Sequence, residues 1–210
     1  MLSRFSVLSS HPEFSFMRKS YAKGANEISV DLAPGVNIIA GKNGAGKTTF
    51  FNILKDRLMK GLAQEHVSFD LDPDFDPSTV QPCYFFTMNE MGAQEQLRNT
   101  YPTQLDKIAY HLECAELSSG QQMFEVLERV LDLKDSSTMI CIDEPEISLD
   151  STHIIKLIKA LEAIAKCGVQ VVVVSHHPML VLNKSFNIVP LDGTPDYVAE
   201  MRKNLMKYIK

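Results

Sequence analysis

The pattern of apolar and polar positions predicts a chain in which strands alternate with amphipathic helices. Residues 27–32 alternate polar and apolar side chains, which is the period of a half-buried strand. Continuous apolar or β-branched runs occur at Val36–Ala40, Thr138–Ile142 and Gln170–Val174. Such runs are typical of strands buried on both faces of a sheet. The alternation of strands and helices therefore predicts an α/β fold with a mainly parallel sheet and flanking helices.

Apolar positions at helical spacing predict the helices. One begins after Lys47, and another begins at the N-cap residue Asp150 and ends at Gly168. Further helices are predicted over about 102–116 and 120–133. The apolar positions of the two best-defined helices are Phe50, Phe51, Ile53, Leu54 and Leu58 in the first, and Ile154, Ile155, Leu157, Ile158, Leu161 and Ile164 in the second.

The region between residues 61 and 116 is less regular. Asp70–Pro77 is acidic and broken by prolines, which predicts a loop. Aspartates at alternate positions raise a calcium loop as an alternative, but Phe75 and Gln81 stand where an EF-hand needs glycine and glutamate. A solvated loop is favoured. Cys83–Thr87 is then a candidate strand.

Composition narrows the class of protein. The chain has 210 residues, of which 45% are apolar and 22% charged, so we expect one domain over 1–210. A net charge of -5 excludes a global basic field for nucleic acid, though not a local patch. The sequence shows neither a secretory signal nor an apolar run of membrane-spanning length. Its four cysteines are far apart, as in reduced cytosolic proteins, so we expect a cytoplasmic location.

Gly41–Thr48 reads GKNGAGKT and matches the phosphate-loop pattern G-x-x-x-x-G-K-[ST] at every position. A predicted strand precedes it and a predicted helix follows it. Glycines allow the backbone N–H groups to surround phosphate, and the helix adds the positive end of its dipole. Lys47 is placed to reach the β- and γ-phosphates, and the Thr48 hydroxyl to bind Mg²⁺. The guanine motif Asn-Lys-x-Asp is not matched, since Asn183–Phe186 lacks the aspartate, and ATP is favoured over GTP.

Two carboxylates follow the strand at 138–142. Asp143 is predicted to hold Mg²⁺, and Glu144 to orient and deprotonate the attacking water. An acidic pair after a strand is weak evidence alone, but it gains weight downstream of a phosphate loop.

Leu117–Gln121 reads LSSGQ, and with the other motifs the sequence resembles an ATP-binding-cassette (ABC) ATPase, whose signature loop reads LSGGQ. Ser119 replaces the first glycine. Ser148–Asp150 resembles the family's D-loop. Ser175 precedes two histidines at the place of the switch histidine, which we assign to His176, with His177 as the alternative. The resemblance implies an antiparallel N-terminal β portion and a short helical lobe at about 61–134 that carries the signature loop.

The resemblance also implies the site residues and the cofactors ATP and Mg²⁺. The metal ligands would be Thr48, Asp143 and, from the glutamine loop, Gln94, with Asn89 and Gln96 as alternatives. Phe14, Phe16 and Tyr21 are available to stack on adenine, but a core role is favoured for each. The implied catalytic residues are Glu144, His176 and Lys47, and the nucleotide-binding residues are Gly41, Asn43, Gly44, Ala45, Gly46, Lys47, Thr48, Thr49, Ser118, Ser119, Gly120 and Gln121.

Two features favour a branch outside the transporters. Asp143–Glu146 reads DEPE, as in the SMC-like, RecF-like and OLD-like ATPases, and only 70 residues separate Lys47 from Leu117. This predicts a Mg²⁺-dependent ATPase that forms a head-to-tail dimer with itself or a closely related cassette. It would control a separate effector, such as a nuclease or toxin, in DNA repair or anti-phage defence.

Two alternatives remain open at this point. The first is the nucleotide-binding subunit of an ABC transporter, with a membrane permease as its partner. The second is a cassette that binds ATP without turnover. Nucleic acid is a further candidate partner, because residues 196–210 form a predicted basic amphipathic helix that either docks on the domain or contacts nucleic acid.

Overall fold

Two β-sheets organise the part of the chain that the computed structural model describes, namely residues 1–17, 26–60, 67–71, 83–87, 124, 139–191 and 196–208. The strands are β1 (Leu2–Leu8), β2 (Glu27–Asp31), β3 (Val36–Ala40), β4 (Val67–Leu71), β5 (Cys83–Thr87), β6 (Met139–Asp143), β7 (Gln170–Ser175) and β8 (Asn187–Pro190). The helices are α1 (Phe14–Met17), α2 (Lys47–Lys60), α3 (Ser151–Lys166), α4 (Pro178–Val181) and α5 (Asp196–Tyr208), with a 3₁₀ turn at Pro145–Ser148.

The larger sheet has the strand order β5-β6-β7-β3-β8, and all its strands run parallel. Every residue of β3, β6 and β7 is buried, which confirms the prediction drawn from their continuous apolar runs. The mainly parallel sheet with flanking helices is therefore as expected.

The smaller sheet, β2-β1-β4, is antiparallel and confirms the expected antiparallel N-terminal portion. It also corrects the loop predicted over Asp70–Pro77. Asp70 and Leu71 belong to β4, where they pair with Arg4 and Leu2 of β1. Pairing with a distant strand outweighs the local preference of aspartate for turns. The calcium alternative places its remaining aspartates outside the described residues.

Helices cover both faces of the larger sheet. Alternate residues of the central strands point to opposite sides. One side packs against Leu157, Leu161 and Ile164 of α3. The other side packs against α2 and the smaller sheet, where the rings of Phe5 and Phe50 meet edge to face at 5.4 Å between centroids.

A buried glutamine joins the two sheets. Gln170, at the start of β7, is 2% exposed. Its Oε1 accepts a hydrogen bond from the Leu2 N–H at 2.9 Å, and its Nε2 donates to the Leu2 carbonyl at 2.8 Å and to Ala33 at 3.2 Å. The amide thus supplies to β1 the two bonds that a neighbouring strand would supply.

Some of the remaining helix predictions are confirmed, and the others fall outside the described residues. Asp150 caps α3 as expected, accepting from the His153 N–H at 2.9 Å, and the chain leaves this helix through Gly168 at φ 87°. The helix α5 confirms the C-terminal prediction, and Tyr197, Val198 and Met201 pack against the core, as a docked helix requires. The helices at 102–116 and 120–133 lie outside the described residues, except that Phe124 is helical. Within the described ranges, none of the helices is long and apolar enough to cross a bilayer.

Candidate active site

Three predicted motifs meet at one edge of the larger sheet. The phosphate loop follows β3, Asp143 ends β6, and His176 follows β7. These strands are neighbours in the order β6-β7-β3 and run parallel, so their carboxyl ends lie side by side. Ligands of open α/β sheets bind at such an edge.

The phosphate loop has the backbone that a phosphate cradle needs. Gly44 and Gly46 adopt φ values of 80° and 86°, which lie in the left-handed region. At Gly46 a Cβ would also come within 2.9 Å of the Met17 Cα. The loop therefore rests on α1 and admits no side chain at this position.

Lys47 lies in the loop's interior. It begins α2 and is only 5% exposed. Its Nζ donates to the carbonyls of Gly41 at 3.0 Å and Lys42 at 3.2 Å. An ammonium group has three donors, so both contacts are compatible with a further one to phosphate.

Asp143 is the buried carboxylate of the site. It is 8% exposed, and burial, followed by repulsion from Glu144 and Glu146, raises its pKa to about 6, against the opposing effects of Lys47 and a hydrogen bond with Thr48. Its Oδ1 is buried without a hydrogen-bond partner. The carboxylate of Asp143 thus has too little nearby positive charge to offset its burial, and its Oδ1 atom needs a polar partner.

A hard divalent cation would supply both. Mg²⁺ prefers oxygen ligands and is commonly bound through one or two protein oxygens together with substrate phosphates. The Asp143 carboxylate and the Thr48 hydroxyl, which lie within hydrogen-bond distance, are such oxygens. Among the described residues, no group of three or more histidine, cysteine or acidic side chains is arranged so that it could hold a metal ion by itself. The residues therefore fit Mg²⁺.

Glu144 has an unusual backbone. Its φ of 46° and ψ of 56° make it the sole non-glycine residue with positive φ in the described ranges. Its N–H donates to the Val174 carbonyl at 2.9 Å, and its own carbonyl accepts from Ile147. A side chain in this conformation costs about 1–3 kcal/mol, and such residues cluster at functional sites.

The structure separates the two adjacent histidines. The Nδ1 of His176 lies 3.2 Å from Glu144 Oε1 and therefore faces the site. The Nδ1 of His177 instead accepts from the Met179 N–H at 3.3 Å and caps α4. His176 is thus the histidine that faces Glu144, and its role as the switch histidine stays a prediction.

A cleft of about 530 Å³ opens between these elements. Phe16 stands on its rim and is 63% exposed, so the core role expected for this ring is wrong. Phe14 is 2% exposed and does lie in the core, while Tyr21 is outside the described residues. The cleft is lined by Phe16, Asn43, Gly44, Gly46, Lys47, Thr48, Thr49, Glu144 and His176.

Sequence reasoning missed two contacts of the site. Lys42, the second loop residue, pairs with Glu200 of α5 at 2.8 Å. Glu146, noted in the sequence only as part of DEPE, is buried beside His176. The sequence feature that could have indicated Glu146 is a further glutamate in the turn that follows Asp143 and Glu144.

The remaining predicted site residues lie outside the described ranges. They are the signature-loop residues 118–121 and the three glutamine-loop candidates Gln94, Asn89 and Gln96. Their assignments stay predictions.

Two family models match adjoining parts of the chain. Residues 18–78 match "AAA domain", and residues 87–183 match "AAA domain, putative AbiEii toxin, Type IV TA system". Both describe P-loop ATPase domains, and together they span the phosphate loop, Asp143, Glu144 and His176.

Curated relatives carry transporter names. The ribose import ATP-binding protein RbsA of Bacillus subtilis is 27% identical over 78% of this chain, which spans only 39% of that protein. The hemin import ATP-binding protein HmuV of Rhodopseudomonas palustris is 25% identical over 77% of this chain and is covered over 73% of its own length.

Solved structures agree on the fold. CbiO1 of Clostridium perfringens, part of the ABC transporter complex cbiONQ, superposes with a TM-score of 0.56 at 16% identity, covering 99% of this chain and 94% of its own. An ATP-binding cassette of an ABC transporter in its ADP conformation gives 0.53 at 17% identity, covering 99% and 96%. At these identities the likeness establishes the fold.

Proposed function

We propose that this chain, an ATPase domain with the fold of an ATP-binding cassette and with ATP and Mg²⁺ as its cofactors, is the nucleotide-binding subunit of a transporter. The observation that carries the ATPase chemistry is the meeting of phosphate loop, Asp143, Glu144 and His176 at one sheet edge. The transporter assignment rests on the relatives and is tested separately below.

Nucleotide binding begins at the phosphate loop. Residues of the loop and of the start of α2 line the cleft, and the backbone N–H groups of such a loop, together with the helix dipole, attract phosphates. Lys47 adds a buried positive charge. The Phe16 ring on the rim stacks on the adenine, since it is exposed beside the loop rather than packed in the core.

Hydrolysis then needs a base and an ordered proton donor. Thr48 and Asp143 would hold Mg²⁺, which would neutralise the charge of the phosphates when bound. Glu144 takes a proton from the water that attacks the γ-phosphorus, as the bond to ADP breaks. The Nδ1 of His176 contacts the Glu144 carboxylate at 3.2 Å, and donation from both ring nitrogens, one to Glu144 and the other to the γ-phosphate, requires the protonated imidazolium form of His176.

Two signs support the transporter role. The relatives named above are import ATP-binding proteins, and cassettes of transporters share the fold over almost the whole chain. The ATPase of a transporter works on the cytoplasmic side of a membrane with a permease partner, and we propose this place for the chain.

A second candidate is the effector-controlling ATPase expected from the sequence. Its specific support is the family model over residues 87–183, whose description names a toxin and a Type IV toxin–antitoxin system. Under this candidate the partner is a toxin or nuclease, and nucleic acid is its target.

Affinity purification from the native host separates the two candidates. A tagged chain is isolated from detergent-solubilised membranes and from the soluble fraction in parallel, with Lys47→Ala as the matched variant. Recovery of a multi-span permease establishes the transporter subunit. Recovery of a nuclease or toxin from the soluble fraction instead overturns it in favour of the second candidate.

The head-to-tail dimer predicted from the signature loop needs its own test. We mix a Lys47→Ala chain with a Gly120→Asp chain, each inactive alone, because the mixture contains one intact composite site. Partial recovery of ATPase activity supports the dimer, and recovery should grow with protein concentration. No recovery at any mixing ratio excludes shared sites.

A further inference from the structure

Glu146 is a buried carboxylate one turn away from the reacting groups. It is 7% exposed and sits in the 3₁₀ turn Pro145–Ser148 that follows β6. Glutamate is almost never this buried unless it is paired. The Oε2 atom is buried without a hydrogen-bond partner. Its desolvation costs free energy of folding that an apolar residue at this position would avoid.

The other carboxylate oxygen holds the end of β7. Oε1 accepts from the Ser175 hydroxyl at 2.7 Å and from the His176 N–H at 3.1 Å. The Ser175 oxygen in turn accepts from the His177 N–H at 3.0 Å. Three consecutive residues at the end of β7 are therefore fixed, directly or through Ser175, by one carboxylate from the turn after β6.

This clamp begins where the pairing between β6 and β7 stops. The β6–β7 register runs to Asp143–Val174, and the Glu144 N–H adds one bond to the Val174 carbonyl at 2.9 Å. His176 lies two residues further on, and Glu146 supplies its backbone contact there.

The clamp acts on a specific pair of atoms. The Nδ1 of His176 lies 3.2 Å from Glu144 Oε1 and 3.5 Å from Glu146 Oε1. The imidazole is thus held between the proposed base and the clamp. A displacement of the His176 backbone would break the contact with Glu144, whereas the hydrogen bonds of Lys47 within the phosphate loop involve neither His176 nor Glu146.

We propose that Glu146 is a positioning residue, which holds the backbone of His176 so that its imidazole keeps Glu144 aligned for the hydrolytic step. The proposal rests on the ATPase function proposed above. It assigns Glu146 an effect on turnover and none on nucleotide affinity.

The first test compares two substitutions at this position. Glu146→Ala removes the acceptor, so kcat should fall about 10- to 100-fold, the range expected for a misplaced catalytic group. Glu146→Gln keeps one acceptor oxygen and should restore kcat to within about threefold of wild type, since hydrogen bonding rather than charge is needed. With saturating Mg²⁺ at pH 8, where Asp143 is ionised in every variant, KM for ATP should stay within about twofold of wild type in both, because neither substitution removes a contact of the phosphate loop.

The second test asks whether the effect passes through His176. The double variant Glu146→Ala/His176→Ala should be no slower than His176→Ala alone in single-turnover assays, because a clamp without its histidine has nothing to position. Ser175→Ala removes one hydrogen-bond donor to Glu146. It should lower the single-turnover rate of the wild-type chain and leave the rate of the His176→Ala variant unchanged. This variant keeps the proposal testable if Glu146→Ala does not fold.

Several outcomes overturn the proposal. They are an unchanged kcat in folded Glu146→Ala, a rise in KM equal to the fall in kcat, or rate losses that multiply in the double variant. A wild-type chain without ATPase activity would instead refute the proposed function, and nucleotide-binding measurements would distinguish that result.

Discussion

Asp143→Asn should make the nucleotide-free protein more stable, although it removes a proposed metal ligand. The Asp143 carboxylate is buried beside Glu144 and Glu146, and its pKa is raised to about 6 from the usual 3.8. In the absence of a cation, folding therefore has to bury a charge that the surroundings disfavour. Asparagine occupies the same space without the charge.

The size and the sign follow from the two pKa values. Above pH 7 their difference corresponds to about 3 kcal/mol, an upper value because the amide needs partners of its own. Since the folded pKa is the higher one, the stability associated with the protonated acid is present below pH 3.8 and is lost as the pH rises through about 6. At pH 5 the destabilisation by Asp143 is about half of the 3 kcal/mol.

Thermal unfolding at pH 5 and pH 8 measures this. For a domain of this size 1 kcal/mol corresponds to about 2–4 °C, so Tm should rise by up to about 10 °C at pH 8 and by about half as much at pH 5. Asp31→Asn is the control, because that carboxylate is 74% exposed in a surface pair with Arg4 and should leave Tm almost unchanged.

Mg²⁺-ATP should close most of this difference in Tm at pH 8. Saturation at 100 times Kd stabilises a protein by about 2.7 kcal/mol, and wild type should gain this from Mg²⁺-ATP while Asp143→Asn gains little beyond the effect of ATP alone. The account of Asp143 would be refuted if the nucleotide-free Asp143→Asn variant had a Tm at pH 8 equal to or below that of wild type. It would also be refuted if the difference in Tm between the two proteins were the same at pH 5 and pH 8.

Three further predictions concern single side chains. Glu144→Gly should be more stable than Glu144→Ala by about 1 kcal/mol in urea unfolding, because only glycine adopts the positive φ of this position without strain; equal stabilities would contradict the strain. Phe16→Ala should raise KM for ATP about 5- to 100-fold with kcat retained, while Phe16→Tyr keeps both, if the ring stacks on the base; an unchanged KM would place the base elsewhere. Gln170→Leu should lower the free energy of unfolding by about 2–4 kcal/mol, since two backbone groups of Leu2 lose a buried partner; a loss below about 0.5 kcal/mol would show that this bridge is dispensable.

The sequence predicts best where the signal is local. The strands β3, β6 and β7 are continuous buried runs, and Asp150 and Gly168 mark the ends of α3, so their positions follow from nearest neighbours. The phosphate loop is equally local, because its glycines and its lysine are adjacent in the chain.

It predicts less well where distant partners decide. Asp70 lies in a strand because β1 pairs with it, and nothing in its own neighbourhood indicates that. His176 and His177 are adjacent and of the same type, and the tertiary structure turns His176 towards Glu144 and His177 towards α4. Phe16 is two residues from the buried Phe14, and its exposure depends on where α1 meets the loop.

The strand order also sets when the nucleotide site can exist during synthesis. The strand β3, which carries the phosphate loop, pairs with β7 and β8, whose residues follow it by more than a hundred positions. During synthesis β3 leaves the ribosomal exit tunnel before β7 and β8 have been made, so it has neither of these strands to pair with. ATP therefore cannot assist the folding of the first half, and this delay exposes an apolar strand that is open to mispairing or to capture by chaperones.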